Sequence, residues 1–195
     1  MKEENKKGNK KELLTIVDMQ NDFMLGKGAL PVPSAEKIIR PTYEFVERYG
    51  RGFEHVIITF DTHNPEEYAK SEEGKMFPIH CVKGTPGWKL AFPITCPYHR
   101  LEKKVFDMWE NPPIMSDVPP ADFHAVVIGV AADFCVKYAV DGYLRRGYGV
   151  TVIHDLTAGI ERDFQTVAKN EFQKYLDAGK LRLISAAEYV NTNNR

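Results

Sequence analysis

A small set of side chains in this sequence has the chemistry to act on a small molecule. They are the thiol of Cys135, the carboxylates of Asp18 and Asp61, the imidazoles of His63 and His80, and an ammonium at Lys103 or Lys104. Cys135 lies in GVAADFCV, where an apolar run hands over to a helical pattern. A thiol at a helix N-terminus feels the positive end of the helix dipole, which lowers its pKa. The first-turn N–H groups there have no helical partners and can hold an oxyanion. Free cysteine is also among the most buried residue types, so an inert core cysteine competes with a nucleophile at this position. Asp18 closes LLTIV and precedes MQNDF. An acid at that point can serve as a base, a metal ligand or a helix cap, and capping is the commonest of the three.

Asp61-Thr62-His63 is more pointed. Residues two apart in an extended segment project the same way. A carboxylate and an imidazole so placed can share one metal ion. His80, in MFPIHCVKGTPG, can complete the set, and Glu72 and Glu73 lie between. A single histidine is more often a surface or core residue than a ligand. Lys103 and Lys104 adjoin in RLEKKVFDMW and read as a solvated charge run unless a strand aims one of them inward.

These residues need elements to hold them. Continuous apolar runs at Leu13–Val17, His55–Phe60, His124–Val130 and Gly149–His154 suit strands buried on both faces. Leu181–Ser185 and Tyr98–Lys104 add two weaker candidates. Helical stripes lie between. One starts after Ser34 as N-cap, with Ile38, Ile39, Phe45, Val46 and Tyr49 inward and Pro41 as a kink or restart. A second covers Cys135–Arg146 and stops at Gly147, and a third covers Phe164–Ala178 and stops at Gly179. Strands alternating with helices predict an α/β fold of three layers, with a mostly parallel sheet covered on both faces. Ligands bind beyond the carboxyl ends of such strands, where Asp18, Asp61, a Lys at 103 or 104, and Gly129–Cys135 fall. The stretch from Asn64 to Trp88 matches neither period and reads as a functional loop.

The chain has 195 residues, 43% hydrophobic and 27% charged. That suits one soluble domain over residues 12–195, with the polar residues 1–11 as a flexible tail that lacks the apolar core of a secretory signal. Twenty-six basic residues against 27 acidic ones leave a net charge of −1 and no global field for nucleic acid. No apolar run is long enough to span a membrane. Three cysteines, an odd number, make a poor disulfide framework and favour a reducing cytoplasm.

The segments TIVDMQNDF, TFDTH, FPIHCVKGTPG, LEKKVFDMW and VIGVAADFCV occur in that order. Together they resemble the isochorismatase-like cysteine hydrolases, most closely the nicotinamidase branch, from Leu13 to about Val190. The resemblance implies an Asp-Lys-Cys triad of Asp18, Lys103 and Cys135. Lys103 is chosen because the family's lysine precedes aromatics at three and six residues, which Phe106 and Trp109 satisfy. It also implies a cis peptide at Val130-Ala131 and an oxyanion hole from the N–H groups of Ala131 and Cys135. A divalent metal, zinc before manganese or iron, would sit on Asp61, His63 and His80. Some members add an acid where Glu73 stands. Phe23, Phe77 and Val130 match positions that line the substrate, though core packing accounts equally well for Phe23. Thr62-His63 stands where many nicotinamidases have Trp-His, and Ala132 where a Thr or Asn is common. Isochorismatases proper lack the two-histidine pattern. The implied activity is therefore metal-dependent hydrolysis of nicotinamide to nicotinate and ammonia through a thioester, within NAD salvage, by a homo-oligomer. The alternatives are a related hydrolase for another small molecule and a catalytically silent binding member; the latter need not retain all of Asp18, Lys103 and Cys135.

Overall fold

The computed structural model describes residues 10–110 and 117–193. Residues 1–9, most of the expected tail, lie outside the described residues. Lys11, assigned to that tail, is instead the first residue of strand β1 (Lys11–Val17).

Five further strands follow: β2 (His55–Asp61), β3 (His99–Lys103), β4 (Phe123–Val130), β5 (Gly149–Ala158) and β6 (Leu181–Ile184). They form one parallel sheet in the order β3-β2-β1-β4-β5-β6. The apolar runs are continuous because both faces of the sheet are covered. Leu13, Val17, Ile57, Ala125, Val127, Val150 and Val152 join one buried cluster. Leu14, Ile16, Ile58, Val126, Ile128 and Ile153 join the other. Neighbouring residues of a strand thus face opposite layers.

The helices are α1 (Asn21–Met24), α2 (Ala35–Tyr49), α3 (Pro65–Tyr68), α4 (Glu72–Met76), α5 (Cys135–Arg145), α6 (Phe164–Glu171), α7 (Gln173–Asp177) and α8 (Ala186–Asn193). Four differences from the sequence reading have local causes. Ser34 precedes α2 but has a left-handed φ of 64° and makes no side-chain cap. The helix then runs unbroken through Pro41, whose missing N–H leaves one helical bond unmade. The stripe over Phe164–Ala178 is two helices, because Phe172 leaves helical geometry (φ −122°, ψ 15°) and stacks on Phe164. Within the Asn64–Trp88 stretch, Asn64 and Ser71 cap the short helices α3 and α4 by accepting from the N–H of Glu66 and Gly74.

β5 also runs on to Ala158, through a register shift opposite Val127–Gly129. Gly129 has φ +117°, and a Cβ there would sit 2.2 Å from the Val17 carbonyl oxygen. Only glycine lets β4 approach the end of β1 so closely. Gly147 and Gly179, both at positive φ, close α5 and α7 as expected. No helix among the described residues is long and apolar enough to cross a membrane.

Candidate active site

The carboxyl ends of β1, β2, β3 and β4 bring the predicted polar residues together. Asp18 follows β1, with a left-handed φ of 48° that a short polar residue tolerates. Its backbone N–H donates to Thr59 Oγ1 at 3.1 Å, and Thr59 Oγ1 donates to Asp18 Oδ1 at 2.6 Å. Thr59 was not singled out in the sequence; its signal is a lone hydroxyl inside the apolar run HVIITF. Lys103 ends β3, pairs in register with Asp61, and is buried. Its Nζ lies 2.7 Å from Asp18 Oδ2, an ion pair whose angles fall outside hydrogen-bond geometry. The same Nζ lies 3.3 Å from Asp61 Oδ1 and 3.4 Å from Cys135 Sγ. Lys104 is exposed and pairs with Glu67.

Cys135 is the first residue of α5 and is buried. The helix-terminus argument gave a lowered thiol pKa, but the buried site gives the opposite direction. Burial pushes the thiol well up, Lys103 pulls it down, and Asp18, Asp61 and Glu73 push it up again. That direction favours the protonated thiol over the thiolate. Burial alone would discharge Lys103, yet Asp18, Asp61 and Cys135 hold its ammonium well above the usual lysine range. The Val130-Ala131 peptide is cis. The Ala131 carbonyl accepts from Phe134 and Val136, while the N–H groups of Ala131 and Cys135 have no acceptor among the described residues. Asp133 holds this turn to the end of β5: its buried carboxylate accepts from the N–H groups of Ile160, Glu161 and Arg162 at 2.8–3.2 Å.

The second cluster adjoins the first. Asp61 Oδ2 receives His63 Nε2 at 2.9 Å and His80 Nε2 at 3.0 Å. Glu73, brought inward by α4, lies 3.5 Å from His80 Nε2 and 3.9 Å from His63 Nε2. All four residues are buried, and their ligand atoms lie within 4.8 Å of one another. Burial would raise the Asp61 carboxyl, but Lys103 and the two imidazoles hold it well below the carboxylate range. Burial lowers the His80 imidazole, yet hydrogen bonds to Asp61 and Glu73 bring it to about 10.

This donor set fits a divalent cation. Two imidazole nitrogens and two carboxylates suit several such ions. Glu73 Oε2 is buried without a hydrogen-bond partner. His80 Nδ1 faces the Pro78 carbonyl at 2.8 Å, so Nε2, which is turned toward Asp61, would be the ligand atom once it gives up its proton, and Tyr68 adds a further contact to the same ring.

The predicted lining residues have different surroundings. Phe23 on α1 is buried with its ring 5.0 Å from that of His80. Phe77 is half-buried and packs edge-on against Phe134 and Phe106. The Val130 side chain is fully buried in the core. Cys81 and Cys96 are buried and free, and burial raises both thiols.

Comparison with known proteins follows the same lines. Residues 12–179 match the isochorismatase domain. The nicotinamidase of Saccharomyces cerevisiae is 25% identical over 213 residues, covering 88% of this chain and 98% of that one. The nicotinamidase/pyrazinamidase of Mycobacterium tuberculosis is 29% identical over 181 residues, covering 82% and 93%. Among solved structures, the pyrazinamidase of Pyrococcus horikoshii in complex with zinc superposes with a TM-score of 0.74 at 27% identity, covering 90% of this chain and 99% of that one. With the parallel six-stranded sheet, these matches show that the chain belongs to the isochorismatase family, among its amidohydrolases.

Proposed function

We propose that this protein is a metal-dependent nicotinamidase that hydrolyses nicotinamide to nicotinate and ammonia through a thioester on Cys135. The observation that carries this reading is the position of Lys103. One buried ammonium contacts the thiol, Asp18 and a metal-type ligand, Asp61, so nucleophile and metal cluster form one site. The nicotinamidase and pyrazinamidase names of the relatives support the substrate.

Asp18 takes the proton of the Cys135 thiol. Lys103 favours both the carboxylate before transfer and the thiolate after it. The thiolate attacks the carboxamide carbon. The N–H groups of Ala131 and Cys135 receive the oxyanion, and each such donor is worth about 3–4 kcal/mol in related chemistry. Asp18 returns its proton to the amine nitrogen, the C–N bond breaks, and ammonia leaves a thioester. Water, deprotonated by Asp18, then attacks the thioester carbon, and the thiolate departs and recovers the proton. When bound at Asp61, His63, His80 and Glu73, a divalent ion supplies a Lewis-acidic anchor for a ring nitrogen. Phe23, beside His80, would pack against that ring, and Phe77 would bound it on the side of Phe134. A homo-oligomer in a reducing cytoplasm, serving NAD salvage, completes the reading; three free cysteines suit that compartment.

The test is ammonia release from nicotinamide before and after chelation and zinc or manganese restoration, with Cys135→Ala alongside. The expected result is turnover that chelation removes, metal restores and Cys135→Ala abolishes. Turnover of another carboxamide but not nicotinamide would overturn the substrate. Turnover by Cys135→Ala would overturn the nucleophile.

A further inference from the structure

We propose that Gln20 and Asp22 are positioning residues for the metal-ligand set. The proposal rests on reading Asp61, His63, His80 and Glu73 as a divalent-cation site. Gln20 is fully buried just past the end of β1. The β1–β2 pairing ends at Ile16–Ile58, so Asp61 lies beyond the last paired residue on that side. The Gln20 amide takes the place of the missing strand neighbour. Its Oε1 accepts from the Asp61 N–H at 2.8 Å, and its Nε2 donates to the Asp61 carbonyl at 2.9 Å. The second Nε2 hydrogen goes to the Trp88 carbonyl at 2.9 Å. Only this orientation of the amide satisfies all three partners.

Asp22 acts on the other ligands. Its Oδ2 accepts from the Cys81 N–H at 2.8 Å, and its Oδ1 accepts from the Ala29 N–H at 3.1 Å. Cys81 follows His80 and holds a left-handed φ of 45°, a conformation a β-carbon disfavours unless its surroundings impose it. The Cys81 carbonyl in turn accepts from the His63 N–H at 3.1 Å. One carboxylate thus fixes the residue that joins His80 to His63. A Cβ on Gly87 would come within 2.2 Å of this carboxylate, so glycine at that position is what leaves room for it. The two side chains reach the backbones that carry three of the four ligands. Partners behind metal ligands commonly change affinity by about 10–100-fold when removed.

The experiment is zinc affinity of the full chain, measured by competition with a chromogenic chelator at a temperature where every variant is folded. Gln20→Met keeps length and loses all three bonds. Asp22→Asn keeps shape and loses one acceptor, and it carries the test alone if Gln20→Met does not fold. Asp163→Ala removes the cap of α6, where Asp163 accepts from the Thr166 N–H at 2.7 Å, and controls for lost stability. We expect zinc to bind about 10–100-fold more weakly to both site variants and unchanged to Asp163→Ala. Wild-type affinity in Gln20→Met and Asp22→Asn, or equal weakening in Asp163→Ala, would overturn the positioning role while leaving the metal site standing. No zinc uptake by the wild-type chain would overturn the metal site and the positioning role with it.

Discussion

Lys103→Met is the most searching single change, because methionine keeps most of the side-chain volume and removes only the charge. Asp18 and Asp61 are both essentially inaccessible to solvent. At an effective dielectric of about 20, unit charges at the observed 2.7 Å and 3.3 Å attract by ~6 and ~5 kcal/mol before desolvation. Most of that gain offsets the burial of the three charges, so the net value of the cluster is small. Removing only the cation is different, since two buried carboxylates then face each other uncompensated. Breaking a buried pair this way costs about 3–5 kcal/mol. For a chain of this size that lowers Tm by roughly 6–20 °C. The variant can relieve the penalty by taking up a proton. In the wild type Lys103 holds Asp61 below its ordinary value, so the contribution of that carboxylate persists across this range and is lost only below about pH 4. The Tm gap between wild type and variant therefore shrinks from pH 7 toward pH 4. Lys104→Met, which loses only an exposed pair with Glu67, should change stability by less than ~1 kcal/mol. The assays are thermal unfolding across pH and ammonia release at neutral pH, which Lys103→Met should abolish and Lys104→Met should retain. A Lys103→Met protein that melts within about 2 °C of wild type at neutral pH, or two variants with equal effects, would refute the reasoning.

Two further outcomes test the packing away from the site. Burial, followed by Arg182 and Lys10, pushes the His124 imidazole down to about 4 from an ordinary 6.5. The folded chain refuses a proton that the unfolded chain accepts, so stability should fall by up to ~3 kcal/mol between pH 6.5 and 4. His124→Gln, which can still bond Thr151, should flatten that part of a urea-midpoint-against-pH curve; an unchanged slope would contradict the assignment. Gly142→Ala places a Cβ 1.9 Å from Trp109 Nε1, forcing aside an indole that donates to the Ala139 carbonyl at 3.2 Å. Overpacking of that kind costs about 1–3 kcal/mol, more than alanine's ~1 kcal/mol advantage in a helix. A rise in the urea midpoint would show that the indole does not fill this space.

The α/β architecture was legible because its strands are buried on both faces and so read as unbroken apolar runs between amphipathic stripes. Breaks decided by single residues were not. Phe172 fits the helical stripe of Phe164–Ala178, and the break shows only in the structure, where it leaves helical geometry and stacks on Phe164. The site divides the same way. Cys135, Asp18, Asp61, His63 and His80 stand out as candidates by residue type and position, and the resemblance chose among their possible roles. The choice of Lys103 over Lys104 rested on resemblance, and the structure adds the physical reason: the last residue of β3 points inward beside Asp61, and its neighbour turns to solvent. Gln20 carries no local signal and Thr59 only a lone hydroxyl in an apolar run, because their partners lie 41 residues away along the chain. The thiol pKa was read in the wrong direction, since a helix terminus visible in sequence says nothing about the burial of the thiol, nor about the three carboxylates folded around it.

Those carboxylates explain why nucleophile and metal cluster belong to one site. Asp61 presents Oδ2 to both imidazoles and Oδ1 to Lys103. With His80 neutral, as a metal ligand must be, one ammonium is set against Asp18, Asp61 and Glu73, a formal excess of two negative charges in a space nearly closed to water. Buried charge of that size is expensive unless compensated. A divalent cation on the four ligands would balance it and relieve the carboxylates that push the thiol up. Lys103 would then act more fully on Asp18 and Cys135. A cluster built only to bind metal would not need its aspartate shared with a catalytic lysine. A cysteine site built only for acyl transfer would not need two histidines and a glutamate buried beside it. Under the proposed function the shared residue would tie the readiness of the thiol to the occupancy of the cation site, and loss of the metal would impair the first chemical step as well as substrate orientation.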